Sequence, residues 1–277
     1  MLQHINIYQI YFKEELKSFL DEGFIPLDNT KNKRPDLREW YIWNEIYNNP
    51  IENNLTHWGF FSWKFKQKTN LSSSQVFKFI TDNPGYDAYL FNPCILNEAC
   101  FINPWEQGDL YHPSISNIAN TFLKKIGYKN IDVKSLNIDK NTCIFATYIV
   151  GSKTFWNKFM PFSQKLFIEA EKDEIFKVNV FGKGLSNYSY DKSLPNFTFL
   201  IERLLPTFIY LENIKCKSFQ YSKDIVSPKY LPYYEDIQTL SELKVLINKY
   251  QSKELYAIWN YYRHKFLHMN PGILNLE

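Results

Sequence analysis

The sequence predicts an α/β fold with a helical C-terminal extension. Short strands rich in branched and aromatic residues alternate with amphipathic helices through the first two-thirds of the chain, and helices dominate its end. At 277 residues, 45% hydrophobic and 22% charged, the chain can bury a full core. We expect one α/β domain over residues 1–225 and a helical extension over 226–277.

The elements follow in order. "INIYQIYF" (Ile5–Phe12) alternates branched and aromatic residues and reads as the first strand. "KEELKSFLDEG" has helical spacing and stops at Gly23. "FIPLDNTKNKRPDL" reads as a loop. Asp36 is placed to cap the next helix, with Glu39 as its capping-box partner. That helix carries Trp40, Trp43 and Tyr47 on one face. "HWGFFSWKF" is a strand that runs into a loop, and "SSSQVFKFITDNPG" is a serine-capped helix. "YDAYLFNP" is a strand, followed by a long aromatic and polar loop over residues 93–113. "SISNIANTFLKKIG" is a helix stopped by Gly127, and "NTCIFATYIVGS" is a strand. Phe155, Phe159, Phe162, Leu166 and Ala170 then line one helix face. "LPNFTFLIERLLPTFIYLE" is a further apolar helix. The last helix places Leu255, Trp259, Tyr262 and Phe266 on one stripe. Arg263, His264, Lys265 and His268 in that helix suit an anionic membrane surface or a partner helix, and ordinary packing explains them too.

Composition narrows the function. The net charge of +3 shows no basic tail or stripe, which disfavours nucleic acid as a partner. The four cysteines are widely spaced, with no CxxC, so we expect free thiols in a reducing cytosol. The N-terminus lacks the pattern of a signal peptide, and no apolar run reaches the length of a membrane span. Aromatic residues make up 18%, which suits sites that stack rings or sugars; AT-rich coding gives the same enrichment. Walker A, GxGxxG, GxSxG and HExxH patterns are all absent.

Polar residues collect at the ends of the expected elements, where α/β folds place binding groups. Asp28 and Asn29 follow the first helix and can meet a nucleotide base or ribose; turn chemistry satisfies them equally. Arg38 and Glu39 can reach a diphosphate and a sugar hydroxyl, or serve the helix terminus. Gly59 admits a close approach by ligand or backbone, and Lys64 can neutralise phosphate. In the long loop, Glu106 can act as general base on an acceptor hydroxyl, Trp105 can stack on a sugar, and Gln107 and His112 lie beside them. Asn141 and Tyr148 flank an inner strand. Glu202 and Arg203 are charges in an apolar helix, either a bracing pair or an acid/base with its partner.

Four of these blocks resemble a bacterial family of sugar transferases for capsule and lipopolysaccharide synthesis. "DNTKNKRPDLREWYIWNEIYNN" is similar to that family's loop and "ELTALYWAWKN" helix. "THWGFFSWKF" is similar to "YVGLCHYRRYF", with Gly59 kept and Ser62 to Lys64 in place of His-Tyr-Arg. "NTCIFATYIVGSKTFWNKFMPF" looks like "NMFIMKKEFFDEYCEWLF", and "FLIERLLPTFIYLE" looks like "GFLSERLLNVWL". "NPWEQG..HP" has counterparts in proteins labelled as bacterial glycosyltransferases. The resemblance spans roughly residues 5–220. It implies a GT-A-like nucleotide-sugar fold with a mixed sheet, a UDP- or GDP-sugar donor, and a glycan or lipid-linked glycan acceptor. It also implies a cytoplasmic place, with contact at the inner face of the membrane. The chain departs from the GT-A pattern in having no DxD, so Asn92 stands where a carboxylate for manganese or magnesium is expected. A non-catalytic glycan-binding or scaffold subunit is the alternative this departure raises, and an α/β hydrolase is a third reading.

Overall fold

A computed structural model describes residues 4–50, 54–182 and 194–276. Among these, six strands form one mixed sheet: β1 (Ile5–Tyr11), β2 (Ile25–Asp28), β3 (His57–Ser62), β4 (Ala88–Leu90), β5 (Ile149–Ser152) and β6 (Cys216–Ser218). Their order is β2-β1-β3-β5-β4-β6. Only β5 runs against its neighbours, pairing Gly59 with Val150 and Leu90 with Ile149. The carboxyl ends of the other five strands therefore gather at one edge, together with the entry to β5.

Period-2 alternation covers both faces of this sheet. Tyr8, Ile10, Phe60, Leu90 and Ile149 face one core. Ile7, Phe61, Tyr89 and Val150 face the other. Over the first face lie α1 (Arg38–Asn48), α5 (Pro104–Tyr111), α6 (Ile115–Lys125), α7 (Lys153–Glu171), α8 (Glu174–Phe181) and α9 (Asn196–Leu211). Over the second lie α2 (Phe65–Thr69), α3 (Ser73–Asp82), α4 (Ile95–Cys100), α10 (Tyr234–Tyr250) and α11 (Lys253–Met269). Leu240, Trp259 and Phe266 of the last two helices share a core with Phe61 and Val150, so the C-terminal segment forms part of the layer on the sheet's second face. Lys244 of α10 reaches into it fully buried. It pairs with Glu98 Oε1 at 3.0 Å and donates to the carbonyls of Glu98 and Phe101.

Several local expectations change. The stretch expected as a loop after Gly23 contains β2, an edge strand that tolerates Pro26 because it pairs only with β1. The expected helix after β1 is a 3-10 turn, Glu14–Phe19. Asp36 does not cap α1. It binds Arg34 through two bonds of 3.0 and 2.8 Å, and Leu37 occupies the cap position. The long loop folds into α4 and α5. Asn103 caps α5, accepting from the Trp105 and Glu106 amides, and Pro104 fits its first position. Gly59 serves the sheet: a Cβ there would lie 2.5 Å from the Ile149 carbonyl oxygen and 2.7 Å from Val150 Cγ2. Among the described residues, no helix is long and apolar enough to cross a membrane.

Candidate functional site

A cavity of about 480 Å³ opens at the carboxyl edge of the sheet. Ser62 ends β3 there, and residues 144–148 enter β5. Glu39 comes from α1, Lys68 from α2, Cys94 and Asn97 from the start of α4, Gln107 and His112 from the α5 region, and Phe199, Glu202 and Arg203 from α9. Open α/β sheets place ligands at this edge because strand ends and helix starts converge there. The volume is in the range that holds a small organic ligand.

The wall is braced by Arg203. Its Nε donates to the Pro104 carbonyl at 3.0 Å, one terminal nitrogen to the Phe199 carbonyl at 3.1 Å, and the other to Gln107 Oε1 at 2.6 Å. The bonds to Pro104 and Gln107 tie α9 to the first turns of α5. They require Gly108, because a Cβ there would collide with Arg203 Nε and sit 2.9 Å from its Cδ. His112 is buried and stacks on Phe199, ring centroids 3.6 Å apart. Burial, helped by the Arg203 charge, pushes the imidazole down to about 3, so His112 is neutral at physiological pH.

Glu202 is the tuned acid. Burial raises its carboxyl to about 7, and Glu39 pushes the same way, while Arg203, Lys68 and Arg38 pull against it. It lines the cavity and keeps 40% of its side chain accessible, so water there relieves part of the burial. Lys68 is the facing cation. Burial pulls its pKa down, but Tyr148, Cys94, Glu202 and Glu39 together leave it raised, so it stays charged. Ser62 Oγ and Tyr148 Oη share a hydrogen bond of 2.8 Å on the floor. Burial raises the Tyr148 phenol, and Lys68 and Ser62 oppose this.

Of the residues singled out in the sequence, the cavity brings together Glu39, Ser62, Gln107, His112, Tyr148, Glu202 and Arg203. Arg38 lines a small adjoining recess with Glu39 and Glu202. Its backbone is unusual, with φ 50° and ψ −137°, a region that side chains disfavour and that recurs at functional sites. The others lie elsewhere. Asp28 accepts from the Thr30 amide at 2.8 Å, and the Asn29 amide donates to the Tyr11 carbonyl, so both serve the turn after β2. Lys64 is exposed over the Trp63 ring, beside an open cleft lined by Phe19 and Lys66. Asn92 accepts from the amides of Cys94 and Phe145, which positions two stretches of the cavity lining without facing it. Trp105 is fully buried and donates from its indole nitrogen to Thr207 at 2.8 Å, leaving no face for a sugar. Glu106 is paired with Arg263 of α11 at 2.7 Å and accepts from the Ile102 amide, so its carboxylate is committed to holding the C-terminal layer. Asn141 is exposed in a turn, its amide donating to Asp139 Oδ1.

Lys68, Cys94 and Asn97 were not among the sequence candidates. Lys68 stands four residues after Lys64 in "KFKQK"; Lys64 is the N-cap of α2, and Lys68, inside the helix, reaches the cavity. A divalent cation needs several acidic oxygens, and among the described residues no group of three His, Cys, Asp or Glu is arranged to hold one. Lys68 and Arg203 are cations in the cavity lining.

The structure is an α/β domain with a cavity at the strand ends that is lined by Glu202, whose carboxyl is raised, and by Lys68. No family model matches the chain, and no curated protein matches it. Among solved structures it is similar to the apo form of WbbM, a bifunctional glycosyltransferase, at 16% identity and a TM-score of 0.46. The match covers 79% of this chain and 44% of that one, so the chain spans less than half of that protein's length.

Proposed function

We propose that the protein is a glycosyltransferase that moves a sugar from a UDP- or GDP-sugar onto a hydroxyl of a surface glycan, free or lipid-linked. One observation carries the reading. Residues from four separate sequence blocks that resemble a sugar-transferase family, plus the "NPWEQG" block, converge on one cavity containing a carboxyl near pKa 7 and a lysine.

The chemistry follows from those groups. The acceptor hydroxyl attacks the anomeric carbon, a new C–O bond forms, and the bond to the donor diphosphate breaks with its electron pair leaving on the phosphate. The hydroxyl proton goes to ionised Glu202, whose pKa near 7 suits a general base at neutral pH. Lys68 faces the charge that develops on the diphosphate, and Arg38 in the adjoining recess adds to it. Glu39 accepts a sugar hydroxyl. Among the described residues no group of three His, Cys, Asp or Glu is arranged to hold a metal, and the reaction proposed here uses side chains alone.

The test is hydrolysis or transfer from a panel of UDP- and GDP-sugars, with and without manganese, by the wild-type chain and Glu202→Gln. Turnover of a donor that is lost in a folded Glu202→Gln variant is expected. No binding and no turnover of any donor would sink the proposal.

A further inference from the structure

We propose that the paired hydroxyls of Ser62 and Tyr148 donate to an anionic oxygen of a diphosphate held beside Lys68, which makes them catalytic residues for its departure. The inference rests on the transferase reading and adds named donors at the leaving-group end of the site. A count of hydrogens carries it. The two hydroxyl oxygens stand 2.8 Å apart on the cavity floor, and one of their two hydrogens fills that bond. Among the described residues the second hydrogen has no acceptor, and no hydrogen bond joins the pair to Glu39 or Glu202. The phenol is also held in place. Tyr148 is 3% exposed, and its ring meets Phe61 and Phe65 edge-on, with centroids 5.6 and 5.0 Å away. Phe65 opens α2, the helix that carries Lys68 to the same cavity. Hydroxyls and ammonium therefore share one rigid mount.

Charge selects the occupant. Glu39 of α1 and Glu202 of α9 reach the cavity from the layer over the sheet's first face, and Lys68 of α2 reaches it from the layer over the second. The other cation of the lining, Arg203, spends its donors on Pro104, Phe199 and Gln107. A neutral ligand at the floor would leave the charge of Lys68 unmet where burial already opposes it. An anionic oxygen meets that charge and accepts the spare hydroxyl hydrogen as well. Burial raises the Tyr148 phenol above its ordinary value of 10, while the second ionisation of a phosphate lies at about 6, so the proton stays on the phenol. The pair hydrogen-bonds to the departing oxygen and transfers nothing to it.

The test is calorimetric titration of the full chain with UDP, GDP and inorganic pyrophosphate, run beside donor turnover. Wild type is expected to bind at least one of the three. A hydrogen bond to a charged group contributes roughly 10- to 100-fold in affinity. Tyr148→Phe combined with Ser62→Ala should weaken binding by about that factor in a chain that still melts cooperatively. Ser62→Ala alone leaves the ring packing intact and should weaken it by a smaller factor. Glu202→Gln, on the opposite wall, should bind pyrophosphate at least as tightly as wild type, which a general loosening of the cavity would not allow. Binding undiminished in the double variant overturns the proposal, as does binding of none of the three. Pyrophosphate binding that the double variant loses, in a chain that turns over no sugar donor, upholds the floor as a diphosphate site and removes the transferase reading alone. Donor turnover undiminished in the double variant removes the role of the hydroxyls and leaves the transferase reading standing.

Discussion

Replacing Gly108 with alanine tests whether Arg203 builds the cavity wall. The added Cβ collides with Arg203 Nε, lies 2.9 Å from Cδ and 3.0 Å from Ile115 Cγ2. Arginine is a flexible side chain, but this one is held at three points by Pro104, Phe199 and Gln107. It cannot withdraw without giving up at least one of those bonds. Overpacking costs about 1–3 kcal/mol. A lost hydrogen bond to a buried charged group costs about 1.5–3 kcal/mol more. Against this, alanine inside a helix gains about 1 kcal/mol over glycine. The balance is a destabilisation of roughly 2–4 kcal/mol. For a chain of this size that is a fall in Tm of roughly 5–12 °C. Differential scanning calorimetry of Gly108→Ala measures it directly. The same substitution in an Arg203→Met background, where the guanidinium is gone, should cost far less. An unchanged Tm, or an equal cost in both backgrounds, refutes the account of the wall.

Other outcomes follow from the same structure. Glu202 binds a proton more tightly in the folded protein, about 7 against 4.5 for the free group, so stability falls as pH rises between those values. Glu202→Gln removes that fall, and melts across the range should show the variant gaining on wild type as pH rises from about 4.5 to about 7, with the gain constant above that. Lys68→Ala should weaken donor binding at least tenfold by calorimetry with little change in Tm, since a charge-assisted bond contributes about 1.5–3 kcal/mol. Lys64→Ala, on the open cleft beside it, should weaken donor binding less; the reverse order would return the phosphate role to Lys64. Lys244→Ala leaves Glu98 buried without its cation and should cost about 3–5 kcal/mol in urea unfolding. Lys244→Met combined with Glu98→Gln should recover part of that loss.

Much of the fold was legible because strands and helices carry their own periodicity. Phe60 and Phe61 alternate across β3 as their spacing predicts, and the phenylalanines of α7 share one face. The missed elements have physical causes. β2 holds a proline and ends in Asp28, residues that belong to loops unless the strand lies at an edge. α5 contains Gly108, which reads as a turn signal. Its real reason is a guanidinium from a helix almost a hundred residues away, and no local pattern reveals that. The site divides in the same way. Glu202 and Arg203 stood out as charges in an apolar run, but only the fold separates their duties: Arg203 spends its donors on the wall, and Glu202 faces the cavity. Trp105 and Glu106 looked exposed because their loop is polar, yet one is core and the other holds α11.

The central claim is that this cavity takes a nucleotide-sugar and that Glu202 accepts the acceptor proton. Its most direct test is nuclear magnetic resonance detection of free UDP or GDP released from a panel of sugar donors. The account predicts release from at least one donor by the wild-type chain, with none from a Glu202→Gln variant that melts like a folded protein. Release undiminished in that variant, or no release from any donor, would contradict it.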